Sequence, residues 1–224
     1  MLPSNNEEGA VYTDNQDDLN RVCADMSAEI ADAALALTDI SDDGLFVEVK
    51  AEYAKEMVTG FIQLDGVTVG AVANRTAIYD ENGEKAEEFA AVLTTDGAYK
   101  AAEFVTFCNA FEIPVLSLTN VKGFEANVRA EKTIAKAAAK LVYAFSNADV
   151  PKVNVITGEA YGSAYVAMNS KSVGADMVYA WSQASIGMMD ASLAAKIMYA
   201  DEIAAADDVT AKINEKASEY AALQ

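Results

Sequence analysis

The residues best suited to chemistry lie at one junction, where a β-prone run gives way to small residues. The run 153–157 is followed shortly by Gly162, Ser163 and Ala164. Small residues at the start of a helix leave backbone N–H groups accessible, and the helix dipole adds positive potential that suits a developing negative oxygen. Close helix packing requires the same small residues. On these residues alone, the packing interpretation is the favoured one.

Two tyrosines and a loop could complete a pocket around this junction. Tyr161 and Tyr165 are four residues apart, which places them on one side of a helix start, although core packing is the commoner fate of such residues. The loop 119–127, with Gly123 and Phe124, follows the carboxyl end of a predicted strand, where crevices of α/β sheets form. An ordinary connecting loop is the alternative for this segment.

Composition excludes several mechanisms. None of the 224 residues is histidine, so a Ser-His-Asp triad, a Cys-His pair and a histidine metal ligand are all absent. Ser163 has no base to activate it and lacks the flanking pattern of a nucleophile elbow, so a serine hydrolase is rejected. The sequence also lacks phosphate-binding glycine motifs and an EF-hand loop. No metal site is predicted.

Charge and cysteine usage limit the partners and the compartment. The formal net charge is −19, from 35 acidic and 16 basic residues, which disfavours nucleic acid and anionic membranes as partners. Cys23 and Cys108 form no CxxC motif, which is typical of a reducing compartment, and Cys108 is predicted to be a small core residue. Residues 1–9 do not resemble a signal peptide, and no apolar run approaches the roughly 20 residues of a membrane span. We therefore expect a cytoplasmic protein without membrane insertion.

The elements that position these residues alternate between strands and helices. Two β-prone runs flank Asp65-Gly66, which predicts a tight hairpin. The following pattern predicts a helix from Asp96 to 111, a strand over 115–118, a helix over 129–147, a strand over 152–157 ended by Gly158, a helix over 162–169, a strand over 177–181 and helices from 191. Alternation of this kind implies right-handed crossovers and a covered sheet, so the predicted fold class is α/β.

The domain organisation is predicted to be one domain preceded by an arm. Residues 1–45 are acidic and weakly patterned, with one possible helix over 27–37 capped by Ser27, and they are interpreted as an arm. Residues 46–224 would form the single domain, with the charged stretch 79–88 as a surface excursion.

Several runs resemble the biotin-dependent acyl-CoA carboxyltransferases, in the same order along almost the whole chain. The matching segments are 59–74 for the "GF…DG…VGIVAN" signature, 100–114 for "KAARFVRFCDAFNIP", 139–152 for "AKLLYAYAEATVPK", 160–165 for "AYGGAY", 174–181 for "GADVVYAW", and 2–6 for the inter-domain segment. The resemblance is to the C-terminal, biotin-side half of that family.

The resemblance implies a crotonase-like fold built from stacked strand-strand-helix turns. It also implies one half of a split enzyme that moves a carboxyl group between the biotin ureido nitrogen and the carbon alpha to the thioester of a short-chain acyl-CoA. The expected partners are an N-terminal-half carboxyltransferase subunit and a biotin carrier protein, in a hetero-oligomer. Biotin is the implied cofactor, and acyl-CoA the substrate.

Site residues follow from the same resemblance. The backbone amides of Ser163 and Ala164, in the turn opened by Gly162, correspond to the oxyanion hole that holds the biotin ureido oxygen. The remaining residues expected at the biotin site are Tyr161, Tyr165, Gly123 and Phe124.

Departures from the family pattern cluster near this site. The loop "VPGFLPG" reads VKGFEAN at 121–127, the following conserved motif is replaced at 129–138, Ser163 replaces a glycine, and Asp190 replaces the glycine of "VMG". The main hypothesis is an active subunit. The alternative is a catalytically degenerate subunit that supports an active homologue. A crotonase-type hydratase or isomerase is weaker, because such enzymes usually need a placed carboxylate and bind CoA themselves.

Overall fold

A computed structural model describes residues 26–80, 82–206 and 208–222 of the chain. Cys23 and the part of the predicted arm before residue 26 lie outside the described residues. The helices are α1 (Ser27–Ala31), α2 (Ala33–Ile40), α3 (Thr95–Ala110), α4 (Val128–Asn147), α5 (Gly162–Ala167), α6 (Ala191–Met198), α7 (Ala200–Ala204) and α8 (Val209–Ala221). The strands are β1 (Val47–Glu48), β2 (Met57–Leu64), β3 (Val67–Asn74), β4 (Ala77–Tyr79), β5 (Lys85–Glu88), β6 (Val115–Val121), β7 (Lys152–Tyr161), β8 (Met177–Ala180) and β9 (Ser185–Gly187).

The main sheet is mixed and has the strand order β1-β2-β3-β6-β7-β8, and β9 also pairs with β7. The β2–β3 hairpin is confirmed: Asp65 and Gly66 both have positive φ, at 50° and 75°, as a tight two-residue turn between twisted strands requires. From β3 onward the pairings β3–β6, β6–β7 and β7–β8 are parallel, so helices connect the successive strands. The α/β prediction is confirmed.

Two apolar clusters form the core. In the larger one, α3 and α4 pack together, and it contains Phe104, Cys108, Leu141 and Phe145. The predicted core position of Cys108, in α3, is therefore confirmed. The smaller cluster contains Leu37 of α2 and residues of β2, β3 and β6.

The predicted single helix over 27–37 is wrong. The chain breaks into α1 and α2 at Asp32, whose backbone is extended and whose side chain accepts a hydrogen bond from the Ala34 amide. Asp32 also pairs with Nε of buried Arg75 at 3.0 Å, and Arg75 pairs in turn with Glu48. Asp32 thus serves as the N-cap of α2, and the buried ion pair holds its side chain at this break between the two helices. Ser27 caps neither helix.

Other boundaries also differ from the prediction. Thr94, not Asp96, caps α3, because its hydroxyl accepts a hydrogen bond from Gly97 N at 2.9 Å. Gly158 does not end β7, which continues to Tyr161 because β9 pairs with its last residues. A Cβ at Gly158 would lie 2.6 Å from Oδ1 of Asn120, so this glycine permits close packing inside the sheet.

Four strands were not predicted as such: β1, β4, β5 and β9. The charged stretch 79–88 contains β5 and the end of β4, which form a separate two-stranded sheet; all four residues of β5 are exposed. The short strands β1 and β9 lack a periodic pattern long enough to read from sequence. None of the helices in the described ranges is long and apolar enough to cross a membrane.

Candidate active site

The candidate site lies at the carboxyl end of β7, where Tyr161 ends the strand and Gly162 begins α5. Gly162 has φ +58°, which lies in the left-handed region that side chains with a Cβ rarely adopt. A Cβ there would also lie 2.9 Å from the carbonyl oxygen of Met188. Both the conformation and the space therefore require glycine at this turn.

The turn places two backbone amides in the first turn of α5. The first N–H groups of a helix have no partner within the helix, and the side chain of Tyr161, at the N-cap position, makes no capping hydrogen bond. Ser163 is exposed, whereas Ala164 is buried. Ser163 and Ala164 thus lie in the first turn of α5, and the use of their amides to stabilise a negative oxygen stays a prediction.

Both tyrosines take part in packing. Tyr161 is buried, and its hydroxyl lies 2.6 Å from Oγ of Ser185, which links β7 to β9. Tyr165 is half-buried against the larger core cluster, and burial raises its pKa. A binding role for either ring stays a prediction.

Gly123 and Phe124 lie in a loop that is held by backbone hydrogen bonds. Leu93 N donates to Gly123 O at 2.8 Å, and Glu125 N donates to Leu93 O at 3.1 Å. Phe124 packs on the larger core cluster. A Cβ at Gly123 would meet no atom within 4 Å, so space alone does not require this glycine.

The parallel sheet brings the loop and the turn to the same edge. Val121, the last residue of β6, pairs with Ala160 of β7. The segments 122–125 and 162–164 therefore leave the carboxyl ends of neighbouring strands, where α/β sheets form their crevices. The candidate loop does follow the end of a strand, but its predicted boundary is wrong, because residues 119–121 belong to β6 and the loop begins at 122. Its contact with a ligand stays a prediction.

Sequence analysis missed Asn120, which holds this edge together. Its side chain is buried, accepts a hydrogen bond from Glu159 N at 3.0 Å and donates to Ile30 O at 3.2 Å. The β6–β7 register shifts between Thr119 and Val121, and the Asn120 amide bridges the gap. A single amide inside a run of apolar strand residues was the available signal.

Two residues that depart from the family pattern, Lys122 and Asp190, interact near this edge of the sheet. Asp190 caps α6 by accepting hydrogen bonds from Ser192 N at 3.0 Å and Leu193 N at 3.2 Å. The Ser192 hydroxyl lowers the pKa of Asp190, and the positive charge of Lys122 lowers it further. The loop and the start of α6 are therefore coupled by charge. Among the described residues, no cluster of acidic and cysteine side chains could hold a metal ion.

Comparison with solved structures defines the class of the fold. The crystal structure of the transcarboxylase 12S hexamer with methylmalonyl-coenzyme A and methylmalonic acid bound has a TM-score of 0.75 and 41% identity to this chain. It covers 86% of this chain, which in turn covers 35% of that chain. The protein therefore has the predicted crotonase-like fold of carboxyltransferases.

The whole chain, residues 1–224, matches the profile of the carboxyl transferase domain, so it belongs to the carboxyltransferase family. The carboxyltransferase subunit of propionyl-CoA carboxylase from Haloferax mediterranei is 38% identical, over 98% of this chain and 42% of the relative. The methylmalonyl-CoA carboxyltransferase 12S subunit of Propionibacterium freudenreichii subsp. shermanii is also 38% identical, over 98% of this chain and 41% of the relative. The chain spans about two fifths of the length of these curated relatives.

Proposed function

We propose that this chain supplies the biotin-side part of an active site that moves a carboxyl group between biotin and a short-chain acyl-CoA. The observation that supports the proposal is the Gly162 turn, where the positive φ and the nearby Met188 carbonyl both favour glycine and where α5 begins with Ser163 and Ala164 in its first turn. The two relatives, a propionyl-CoA carboxylase subunit and a methylmalonyl-CoA carboxyltransferase subunit, support the reaction class.

The residues at the turn fit biotin because its ureido oxygen is a neutral hydrogen-bond acceptor. Biotin, when bound, carries the carboxyl group. The Ser163 and Ala164 amides would hold the ureido oxygen, and Gly162 would keep both N–H groups directed to one side. Tyr161, Tyr165, Gly123 and Phe124 are the proposed surrounding residues, as the resemblance implies.

The amides would act by stabilising negative charge on that oxygen. Their positions are set by the sheet and the glycine turn, so little reorganisation is needed. Removing one such donor typically lowers the rate by about 10²–10³-fold in other enzymes. No histidine or metal is required for this contribution.

The partners follow from the share of the relatives that this chain spans. We infer that the acyl-CoA side is supplied by an N-terminal-half carboxyltransferase part and that biotin arrives on a carrier protein, in a hetero-oligomer. Carboxylation, decarboxylation and transfer between acyl-CoAs are all compatible with this chain.

One observation favours the alternative, a degenerate subunit that supports an active homologue. The charge pair of Lys122 and Asp190 stands where the family pattern has proline and glycine, beside the proposed biotin site. Charged side chains at this rim would be costly to desolvate if a neutral ring has to pack against them.

A pair of glycine substitutions tests the proposal. The chain is combined with the acyl-CoA-side part, and carboxyl transfer from methylmalonyl-CoA to free biotin, which leaves propionyl-CoA as the product, is measured. Gly162→Ala is expected to lower the rate about 10²-fold or more, because the strained φ and the Met188 carbonyl shift the amides. Gly83→Ala is the control, since Gly83 also has positive φ, at 78°, but has open space around it in an exposed turn.

Two outcomes contradict the proposed site or the proposed activity. Equal rates for Gly162→Ala and wild type would show that the amides of this turn are not used. A stable complex without carboxyl transfer would support the degenerate-subunit alternative.

A further inference from the structure

Strand β7 changes its neighbour part of the way along its length. Its residues 153–156 pair with β8, and its last residues, 159–161, pair with β9. Residues 157 and 158 pair with neither of these strands. The change of neighbour therefore lies just before the Gly162 turn, at the end of β7 that leads into the proposed site.

The opposite side of β7 has a bulge at the same place. In the pairing with β6, a single residue, Asn120, stands opposite residues 157–159. Extra residues in one strand bend that strand and redirect the residues that follow, and such bulges are frequent next to active sites. The bulge therefore helps to set the direction in which β7 enters the Gly162 turn.

Asn120 is hydrogen-bonded to three other segments of the chain at this bulge. Its Oδ1 accepts a hydrogen bond from Glu159 N at 3.0 Å, and its Nδ2 donates to Ile30 O at 3.2 Å. Its backbone N–H donates to Oδ1 of Asn74, the last residue of β3, at 3.2 Å. Asn120 and Asn74 are both buried, where a polar group without a partner is costly. The amide of Asn120 thus holds β7 in place relative to β3 and β6.

Gly158 makes room for the Asn120 side chain. A Cβ at Gly158 would lie 2.6 Å from Oδ1, 2.8 Å from Cγ and 3.2 Å from Nδ2 of Asn120. The φ of Gly158 is not positive, so its backbone conformation is open to other residues. The close approach of the amide is therefore the reason for glycine at this position. We call this approach the Asn120–Gly158 contact.

The bulge is linked to the Gly162 turn by the strand that leads into it and by β9. The Tyr161 hydroxyl lies 2.6 Å from Oγ of Ser185 in β9, which pairs with residues 159–161. The chain that leaves β9 brings the Met188 carbonyl to 2.9 Å from the position that a Cβ at Gly162 would take. A change in the bulge would therefore move both the strand that enters the turn and the segment that borders it.

We propose that Asn120 is a positioning residue for carboxyl transfer. It holds β7 at the bulge and thereby fixes the direction of the Ser163 and Ala164 amides, without itself touching biotin or acyl-CoA. This inference rests on the proposed function, because it takes those amides to be the groups that act. A misplacement of about 1 Å at such a group can lower a rate about 10²-fold, so a residue outside the site can have a measurable effect.

Matched asparagine variants test this assignment. Carboxyl transfer from methylmalonyl-CoA to free biotin is measured with the chain combined with the acyl-CoA-side part, as for Gly162→Ala. Asn120→Ala is expected to lower kcat on the order of 10-fold, because the turn amides are no longer held in one direction. The KM for methylmalonyl-CoA is expected to stay unchanged, since the proposed acyl-CoA site lies outside this chain.

Asn109→Ala is the matched control. Asn109 Oδ1 also accepts a hydrogen bond from a distant backbone amide, that of Asp149 at 2.9 Å, but Asp149 lies just before β7 begins, at the opposite end of the strand from the turn. The same chemical change is therefore made away from the Gly162 turn. This variant is expected to keep the wild-type kcat.

A double variant tests the Asn120–Gly158 contact itself. Gly158→Ala is expected to lower kcat as well, because its Cβ would displace the Asn120 amide. The three nearest atoms all belong to that side chain beyond its Cβ, so Asn120→Ala removes them. Adding Gly158→Ala to Asn120→Ala is therefore expected to change kcat by no more than about 2-fold, whereas independent effects would multiply.

Hydrogen exchange of the chain alone gives a readout that does not depend on activity. Amides of residues 159–164 are expected to exchange faster in Asn120→Ala than in wild type or in Asn109→Ala, because the bulge is no longer held. If the wild-type complex transfers no carboxyl group, this measurement still decides whether Asn120 positions the turn.

Three kinetic outcomes would overturn the assignment: wild-type kcat in Asn120→Ala, equal losses in Asn120→Ala and Asn109→Ala, or losses that multiply in the double variant. If Asn120→Ala does not fold, wild-type kcat in Gly158→Ala overturns the assignment in its place. Faster exchange at 159–164 in Asn120→Ala, together with wild-type transfer by Gly162→Ala, would show that Asn120 positions the turn and that the proposed function fails.

Discussion

Two regions of the molecule bury apolar surface differently. One is the sheet with the helices packed on it, here called the body, and the other is the group of C-terminal helices α6, α7 and α8. In the body, α4 buries Leu141 and Phe145 completely, as the larger members of its apolar face. In the C-terminal region, α6 buries Ala194 and Ala195 while Leu193 stays half-exposed. Burial of large side chains stabilises a fold within one chain. The body therefore buries its large apolar side chains within the chain, whereas α6 leaves large apolar side chains exposed.

The two leucines give the largest predicted contrast. Leu141→Ala is expected to lower the free energy of unfolding by about 2–5 kcal/mol, because it removes a fully buried side chain and leaves a cavity. Leu193→Ala is expected to lower it by no more than about 0.5 kcal/mol, because this side chain is half-exposed. Urea unfolding of both variants, as isolated chains, measures the difference. Similar losses from the two substitutions would contradict the comparison.

The body also buries the charged side chain of Lys100, which gives it a pH dependence at alkaline pH. Lys100 of α3 is 1% exposed and donates a hydrogen bond to Tyr53 O at 2.7 Å. Burial lowers the pKa of Lys100 to about 8. The unfolded chain therefore binds more protons than the native one between about pH 8 and the ordinary lysine value of 10.5, and native stability gains from Lys100 as pH rises through this range.

The effect is measured as a difference between wild type and Lys100→Met. Their difference in unfolding free energy is expected to change in favour of wild type by up to ~1.4 kcal/mol per pH unit between pH 8 and about 10. Cys108 and other groups also titrate at high pH, so the difference, not the wild-type curve, is the test. Lys196→Met, at an exposed lysine of α6, is the control and should track wild type. A difference independent of pH would refute the role of Lys100.

The body was also the part whose structure could be predicted from sequence. The β2–β3 hairpin follows from Asp65-Gly66 between two β-prone runs, and α4 from apolar residues at helical spacing. These sequence patterns involve only residues close together in the chain, so the elements that they predict do not depend on distant contacts. The Gly162 turn could also be located from a local pattern, the small residues at 162–164. Only the structure shows that a Cβ at Gly162 would lie 2.9 Å from the carbonyl oxygen of Met188.

The missed features depend on contacts between distant residues. The break at Asp32 is fixed by Arg75, and the glycine at 158 by the Asn120 side chain. Neither pairing leaves a periodic pattern in the sequence. The orientation of α6 was also unpredictable, because alanine and leucine both read as apolar and only packing decides which of them faces inward.

Helix caps provide the smallest and most specific test of the comparison. Asn127 caps α4 in the body, where its Oδ1 accepts a hydrogen bond from Ala130 N at 2.7 Å, and Asp190 caps α6. Loss of a cap typically destabilises a helix by about 0.5–2 kcal/mol. Because α4 is part of the main core, Asn127→Ala should lower the global free energy of unfolding by an amount in that range.

Asp190→Ala should instead act locally, because α6 packs mainly with α7 and α8. Hydrogen exchange is expected to speed up in α6 alone, while urea unfolding of the body changes by less than about 0.5 kcal/mol. The charge of Asp190 also interacts with Lys122 in the loop beside the Gly162 turn. Faster exchange in 122–125 as well as α6 would therefore show that this pair couples the C-terminal helices to the proposed site. A global loss equal to that of Asn127→Ala would instead mean that α6 unfolds only with the body, and the division between the two regions would be wrong.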